Sequence, residues 1–133
     1  MPPVPPQDQL VVELFVRDFD RSLTFYKALG FEVERQEEDF AVLRFDDCGF
    51  LLQASRKLGD VPSRPAANLR ILVDDVDAKW EVAKTLGAPV FVAIGDRDYG
   101  LRDFIVVDPD GFGVRFAAPI ARSGRAQKRD PSL

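Results

Sequence analysis

Hydrophobic and polar positions recur along the chain in an order that predicts a strand, a helix and three further strands. An apolar strand covers 10–16, and Asp18 can cap a helix whose apolar stripe stops before Gly30. Turn residues then separate three short runs with strand character. These runs cover 31–36, 40–45 and 50–55.

The same order of elements returns in the second half of the chain. A strand at 69–73 precedes a cap at Asp75, a helix over 76–86 and a stop at Gly87. Strands are predicted at 89–94, 101–107 and 112–117. A shift of 57 residues places Asp18 and Gly30 on Asp75 and Gly87, which indicates an internal repeat.

The repeat predicts an α+β fold made of two β-α-β-β-β modules. Each module would form a four-stranded mixed sheet with a helix on one face, and the two open faces would curve into a trough about a pseudo-twofold axis. The boundaries follow from the pattern: an N-terminal arm at 1–9, a single domain at 10–118 and a polar, flexible tail at 119–133. Within the domain the modules are 10–56 and 67–118, joined by a linker at 57–66.

Strand alternation predicts which side chains face the helices and which face the trough. The first strand would direct Leu10, Val12, Leu14 and Val16 toward its helix. The expected trough-facing residues are Val11, Glu13, Phe15, Asn68, Arg70, Leu72 and Arg115, and a shift of 62 residues matches Gln53 to Arg115.

Histidine is absent and Cys48 is the one cysteine. These counts exclude an intrachain disulfide, a thiolate zinc cluster, a histidine general base and a Ser-His or Cys-His nucleophile pair. They also remove the imidazole ligands of most zinc, nickel and non-haem iron sites.

Charge is unevenly distributed around a net value of −4. The last twelve residues hold four basic side chains and one acidic side chain, so residues 1–121 keep 14 basic against 21 acidic ones, a net charge of −7. Such a body should repel nucleic acid and attract cationic small molecules. The proline-rich start is unlike a signal peptide and no apolar run has the length of a membrane span, so a cytoplasmic protein is expected.

Two motifs resemble a known family. Residues 16–22, with Phe25-Tyr26 and Leu29-Gly30-Phe31, resemble the opening of the glyoxalase / bleomycin-resistance / extradiol-dioxygenase group, the vicinal-oxygen-chelate superfamily. The stretch from Tyr99 to Asp103-Phe104, leading into Asp108-Pro109-Asp110-Gly111, resembles its closing strand and turn. The match spans about 10–118 and identifies the superfamily far better than it identifies a substrate.

In metal-dependent members of this superfamily, four strand positions bind one divalent ion. The matched motifs put those positions at Val11, Gln53, Asn68 and Arg115. Because an aliphatic side chain donates no electron pair and a guanidinium stays positively charged, neither can ligate a cation. No metal and no cofactor are therefore expected, and the site should prefer an anion or a hydrogen-bond acceptor.

The chain is most similar in character to the metal-free bleomycin-resistance proteins. That resemblance implies a homodimer that sequesters an aromatic or cationic antibiotic-like ligand in an acidic, aromatic-lined groove. Tyr99 falls where those proteins carry a ligand-stacking tryptophan, with Phe40 and Phe15 as further aromatic candidates. A partner aromatic of those proteins falls on Arg35.

Several polar candidates have two interpretations each. Arg70 and Arg115 either bind a carboxylate or carbonyl of a ligand or neutralise Glu13, and Gln53 and Asn68 either orient a ligand or bond each other. An alternative function is a metal-independent lyase or isomerase, with Glu13 as the proton-transferring base and the arginines stabilising an oxyanion.

Overall fold

Each half of the chain forms one mixed four-stranded sheet with a helix, so the predicted α+β class is confirmed. The computed structural model describes residues 3–120. The chain divides between Asp60 and Val61 into two compact units. This division falls inside the predicted linker, and each unit is described separately below.

The first unit orders its strands β1-β4-β3-β2. The β1–β4 pair is parallel, and the β2–β3 and β3–β4 pairs are antiparallel. Its elements are α1 (Pro6–Gln9), β1 (Glu13–Val16), α2 (Phe19–Ala28), β2 (Glu32–Gln36), β3 (Phe40–Phe45) and β4 (Cys48–Ala54).

The second unit orders its strands β5-β8-β7-β6, the same topology. Its β5–β8 pair is parallel and the remaining pairs are antiparallel. Its elements are β5 (Asn68–Leu72), α3 (Val76–Leu86), β6 (Val90–Asp96), β7 (Leu101–Val107) and β8 (Gly113–Pro119).

Both predicted helix caps are present. The Asp18 carboxylate accepts a hydrogen bond from the backbone N–H of Arg21 at 3.1 Å, and Asp75 accepts one from Ala78 at 3.0 Å. Each bond satisfies an N–H that the first turn of a helix leaves without an intrahelical partner. Gly87 ends α3 with φ 75°, a left-handed conformation that glycine adopts without a Cβ penalty.

The two helices cover their sheets with different side chains. Tyr26 of α2 is fully buried, and its ring meets those of Phe25, Phe31 and Phe50 edge-on. In the second unit Trp80 of α3 meets the buried ring of Phe104 at a centroid distance of 5.1 Å. Edge-to-face contacts of this kind suit the quadrupoles of the rings.

One part of the predicted inward-facing set is wrong. Leu14 and Val16 are buried as expected, but Leu10 is 89% exposed and Val12 43% exposed. The short helix α1 ends at Gln9 and β1 begins only at Glu13, so residues 10 and 11 precede the paired part of the strand, and Val12 joins it only through its carbonyl, which accepts a hydrogen bond from the Leu51 N–H. Alternation directs side chains into a core only where the strand lies on the sheet.

At the other end of the chain, β8 continues through Pro119, and residues 121–133 of the predicted tail lie outside the described residues. Between residues 3 and 120, no helix combines the length and the apolar character that crossing a membrane requires.

One exposed ion pair should make the stability of the fold depend on pH. Arg102 of β7 donates to the Asp77 carboxylate of α3, with Nη2 and Oδ1 2.9 Å apart. This hydrogen bond from Arg102 lowers the pKa of Asp77 from its ordinary value of 3.8. Because the pKa is lower in the folded than in the unfolded chain, the pair stabilises the fold above the unfolded value, and that contribution disappears as the pH falls through the folded one.

We therefore expect an NMR titration of the Asp77 carboxyl carbon to give a midpoint below 3.8 in the wild type. In Arg102→Gln the midpoint should return toward that ordinary value. A wild-type midpoint at or above it would contradict the ion pair.

Candidate functional site

The four positions that the resemblance assigns to a metal do not carry a metal-binding set. In the first unit Val11 is aliphatic, and the Gln53 side-chain amide donates to the backbone carbonyls of Asp39 and Ala54, both at 3.2 Å. In the second unit Asn68 is exposed and Arg115 carries a guanidinium. Neutral amides and a permanent cation are poor ligands for a divalent ion, so these residues do not fit one.

Residues 3–120 contain no group of three or more histidine, cysteine, aspartate or glutamate side chains arranged to hold a metal ion.

Strand pairing revises one detail of the repeat. Glu13 pairs with Leu51 in the first unit, whereas Arg70, its counterpart under the 57-residue shift, pairs with Arg115 in the second. The register position of Arg115 therefore corresponds to Leu51 rather than to Gln53. A two-residue turn joins β3 to β4, whereas five residues join β7 to β8. Because the loops differ in length, one sequence shift cannot align both strands of the first hairpin with both strands of the second.

Arg115 is held by a carboxylate that the sequence did not identify. Asp103 of β7 is 1% exposed, and its Oδ2 accepts a hydrogen bond from Nε of Arg115 at 2.9 Å. Its Oδ1 accepts another from Nε of Arg97 at 2.8 Å. This ion pair fits the strand register, because Asp103 lies two strand positions from Ile105, the direct β7 partner of Arg115. Neutralisation of Arg70 and Arg115 by Glu13 stays a prediction.

Tyr99 completes this group, which we name the Asp103 cluster: Arg97, Tyr99, Asp103 and Arg115. The Tyr99 hydroxyl donates to Oδ2 of Asp103 at 2.8 Å and accepts from Nη2 of Arg115 at 2.9 Å. With three side chains donating to it, the buried carboxylate is compensated in the way that burial of a charge requires.

The Tyr99 ring is buried by its neighbours rather than open for a ligand to stack on. It is 6% exposed, packs with Leu101 and Ala117, and has the Arg115 guanidinium carbon 5.6 Å from its ring centroid. In the described chain its ring and hydroxyl both contact Arg115. Its role as a ligand-stacking residue stays a prediction.

The remaining candidates lie on exposed strand positions. Glu13 and Phe15 are exposed on β1, and Phe15 retains 51% of its accessible surface. Arg70 is exposed on β5, the edge strand of the second sheet. Their parts in ligand binding, and that of Glu13 as a base, stay predictions.

The first sheet contains a cavity on the face opposite α2. Its volume is about 310 Å³, and we name it the first-sheet cavity. Val42 and Leu51 form apolar lining, and Phe40 carries the Arg35 guanidinium 5.4 Å from its ring centroid. The lining residues are Asp8, Val11, Glu34, Arg35, Phe40, Val42, Arg44, Gly49, Phe50 and Leu51.

Arg44 organises the polar side of this cavity. Its Nη1 lies 2.9 Å from Oδ1 of Asp8 on α1, and its Nε lies 3.2 Å from Oε1 of Glu34. The hydrogen bonds that Arg44 donates to these two carboxylates raise its pKa. The bonds join α1 to β2 and β3, so the short N-terminal helix borders the cavity.

Register extends the aromatic lining along the sheet. Phe15, Gln53 and Phe40 are consecutive partners on β1, β4 and β3 and share one face. Two aromatic side chains therefore flank an amide, and one of them borders the cavity. The residue types alone did not indicate that Phe15 is exposed or that the Arg35 guanidinium stacks on the Phe40 ring.

Comparison with known proteins identifies the family of this chain. Residues 8–116 match the Glyoxalase/Bleomycin resistance protein/Dioxygenase superfamily. Uncharacterized proteins of Mycobacterium bovis and Mycobacterium tuberculosis are 33% identical over 85 residues, which cover 61% of this chain and 53% and 48%, respectively, of theirs. The chain thus spans about half the length of the curated relatives that it matches.

Solved structures agree on the fold. A bleomycin-binding protein complexed with bleomycin is 26% identical, with a TM-score of 0.66 over 85% of this chain and 99% of that one. A genomically encoded fosfomycin resistance protein from Listeria monocytogenes is 17% identical, with a TM-score of 0.66 over 84% of this chain and 92% of that one. With the match over 109 of its 133 residues, the chain belongs to the Glyoxalase/Bleomycin resistance protein/Dioxygenase superfamily.

Proposed function

We propose that this protein binds and sequesters a small aromatic or cationic antibiotic-like molecule without using a metal ion. The observation that carries the proposal is the first-sheet cavity, whose apolar floor adjoins the Arg35–Phe40 stack and the row containing Phe15. A volume of about 310 Å³ lies at the lower end of the range of small-molecule sites.

The lining favours a flat, conjugated ligand. A planar ring can stack on an aromatic face or on a guanidinium plane, and the cavity offers both in Phe40 and Arg35. The two carboxylates at its border form ion pairs with Arg44, which offsets much of their negative charge. Their main effect is therefore on the shape of the cavity. Preference for a cationic ligand would come instead from the acidic body of the chain.

The donor chemistry at the metal positions supports the metal-free part of the proposal. The side chains at these positions do not make up a ligand set for Zn²⁺, Fe²⁺ or Mn²⁺, because two of them cannot ligate and the others offer at most neutral amide oxygens. They are Val11, Asn68, Arg115 bonded to Asp103, and Gln53 or its register counterpart Leu51. The family contains both binding proteins and enzymes, so the choice between them rests on these residues rather than on membership.

Calorimetric titration tests the proposal, with a bleomycin-type glycopeptide and a planar peptide antibiotic as ligands. We expect saturable binding that persists after chelator treatment, and stabilisation of the fold by about 2.7 kcal/mol when a ligand is present at 100 times its dissociation constant. Phe40→Ala should weaken binding by roughly two- to tenfold, since one stacking face contributes about 0.5–1.5 kcal/mol.

Val82→Ala is the matched control, because it removes an exposed apolar side chain from α3 rather than from the first sheet. It should leave the affinity unchanged. Absence of binding and of thermal stabilisation with either ligand would contradict the proposal, as would a stoichiometric transition ion whose removal abolishes binding.

A further inference from the structure

The second unit concentrates positive charge around one carboxylate. Arg97 and Arg115 both bond to Asp103, and Arg70 is the direct partner of Arg115 in the parallel β5–β8 pair. These three guanidinium groups and one carboxylate leave a local charge of +2. The excess stands out in a chain whose net charge is −4.

Arg115 is fixed in a way that leaves one edge of its guanidinium available. Its Nε and Nη2 are used by Asp103 and Tyr99, and its side chain is 14% exposed. Within residues 3–120, Nη1 has no hydrogen-bond acceptor, and no buried side-chain nitrogen or oxygen there is left unsatisfied. Nη1 is therefore a rigidly held donor that is open to solvent, which lowers the entropy cost of binding an acceptor.

Arg70 supplies a second donor group beside it. Paired residues on neighbouring strands share a face, and strands lie about 4.8 Å apart, so the two arginine side chains start close together. Arg70 is exposed and makes no ion pair among the described residues. Like charges directly opposite each other on a sheet repel, and an anion between them would remove that repulsion.

We propose that Arg70 and Arg115 form a receptor for the carboxylate of a small organic acid. A guanidinium presents a planar fork of donors whose spacing matches the two oxygens of a carboxylate. Leu72 lies two residues after Arg70 on the same face of β5 and is 54% exposed, so it can contact the apolar body of the acid. Asp103 and Arg97 are positioning residues, because they act through Arg115.

The receptor and the first-sheet cavity are built from different residues. All residues of the cavity lie in the first unit, and all residues of the receptor lie in the second. Separate substitutions therefore test the two proposals.

Titration of the full-length protein with phenylacetate tests the receptor. The readouts are calorimetry and the side-chain Nε–H signals of Arg70 and Arg115 in NMR spectra. We expect saturable binding that shifts both signals, with uncharged phenylacetamide binding about tenfold more weakly or worse, because charge-assisted hydrogen bonds are lost. Arg70→Gln should weaken phenylacetate binding by a similar factor without unfolding the protein, since Arg70 is exposed.

Arg56→Gln is the matched control, because it removes the same charge from an exposed position in the first unit and should leave binding unchanged. Phe40→Ala should also bind phenylacetate normally, which separates this result from the test of the cavity. The proposal is overturned if phenylacetamide or benzylamine binds as tightly as phenylacetate, or if Arg70→Gln binds like the wild type. Equally tight binding of inorganic phosphate would overturn the organic-acid assignment.

Discussion

Asp103→Asn is expected to lower the free energy of unfolding by about 3 kcal/mol, because it leaves two partly buried guanidinium groups without their counter-charge. Arg97 and Arg115 retain only 17% and 14% of their side-chain exposure, so water cannot replace the carboxylate fully. The asparagine keeps the shape of the side chain, but its NH₂ group is itself a donor and faces the groups that donate to Asp103 in the wild type. Urea denaturation followed by circular dichroism would measure the change.

Two further variants identify the cause of that loss. Asp77→Asn removes an equal charge from an exposed ion pair and should lower the stability much less, because solvent screens exposed pairs. Tyr99→Phe removes the hydroxyl that donates to Asp103 and accepts from Arg115, and the loss of these two hydrogen bonds should cost about 2 kcal/mol. If Asp103→Asn were no more destabilising than Asp77→Asn, the buried carboxylate would not be the group that holds Arg97 and Arg115 in place.

Phe104→Ala should destabilise the protein by about 3–5 kcal/mol, because it opens a cavity in the core of the second unit. Phe104 is fully buried on β7, and its ring contacts those of Trp80 on α3 and Phe116 on β8. Removal of the ring thus withdraws contacts that join the helix to two strands. Thermal and chemical denaturation would both report the loss.

Phe15→Ala is the contrasting substitution. It removes the same side chain from a position that is 51% exposed, so it should cost less than about 1 kcal/mol of folding stability. The same variant should weaken binding of an aromatic ligand if the row beside the first-sheet cavity contributes to it. Comparable destabilisation by both variants would show that the exposed face of β1 is covered in solution.

Apart from the short helix α1, which falls in the predicted N-terminal arm, the helices and strands were predictable to within a few residues because they depend on local chemistry. Asp18 and Asp75 each cap a helix, because each places a side-chain acceptor just before an apolar stripe. Gly87 ends a helix because it adopts a positive φ. The bounds of β3 and β7 agree with the predicted 40–45 and 101–107. Their apolar runs lie between clear turn residues.

The site was less predictable, because it depends on which strands become neighbours. Asp103 is one acidic residue in the apolar run of β7, and no local rule pairs it with Arg115 twelve residues later or with Arg97 six residues earlier. Strand alternation and a lone acid in a buried run were the available signals.

Local periodicity, capping residues and the duplicated order of elements were enough to predict two β-α-β-β-β units, and the resemblance of two short motifs indicated the superfamily. The residue types at four strand positions were enough to argue against a metal site, because the lone pairs and charge of a side chain do not depend on the fold. The Asp103 cluster, the Arg35–Phe40 stack and the pairing of Arg70 with Arg115 came only from the tertiary structure. Those contacts depend on hairpin length and strand register, which bring together residues that are distant in the chain and which a one-dimensional pattern does not encode.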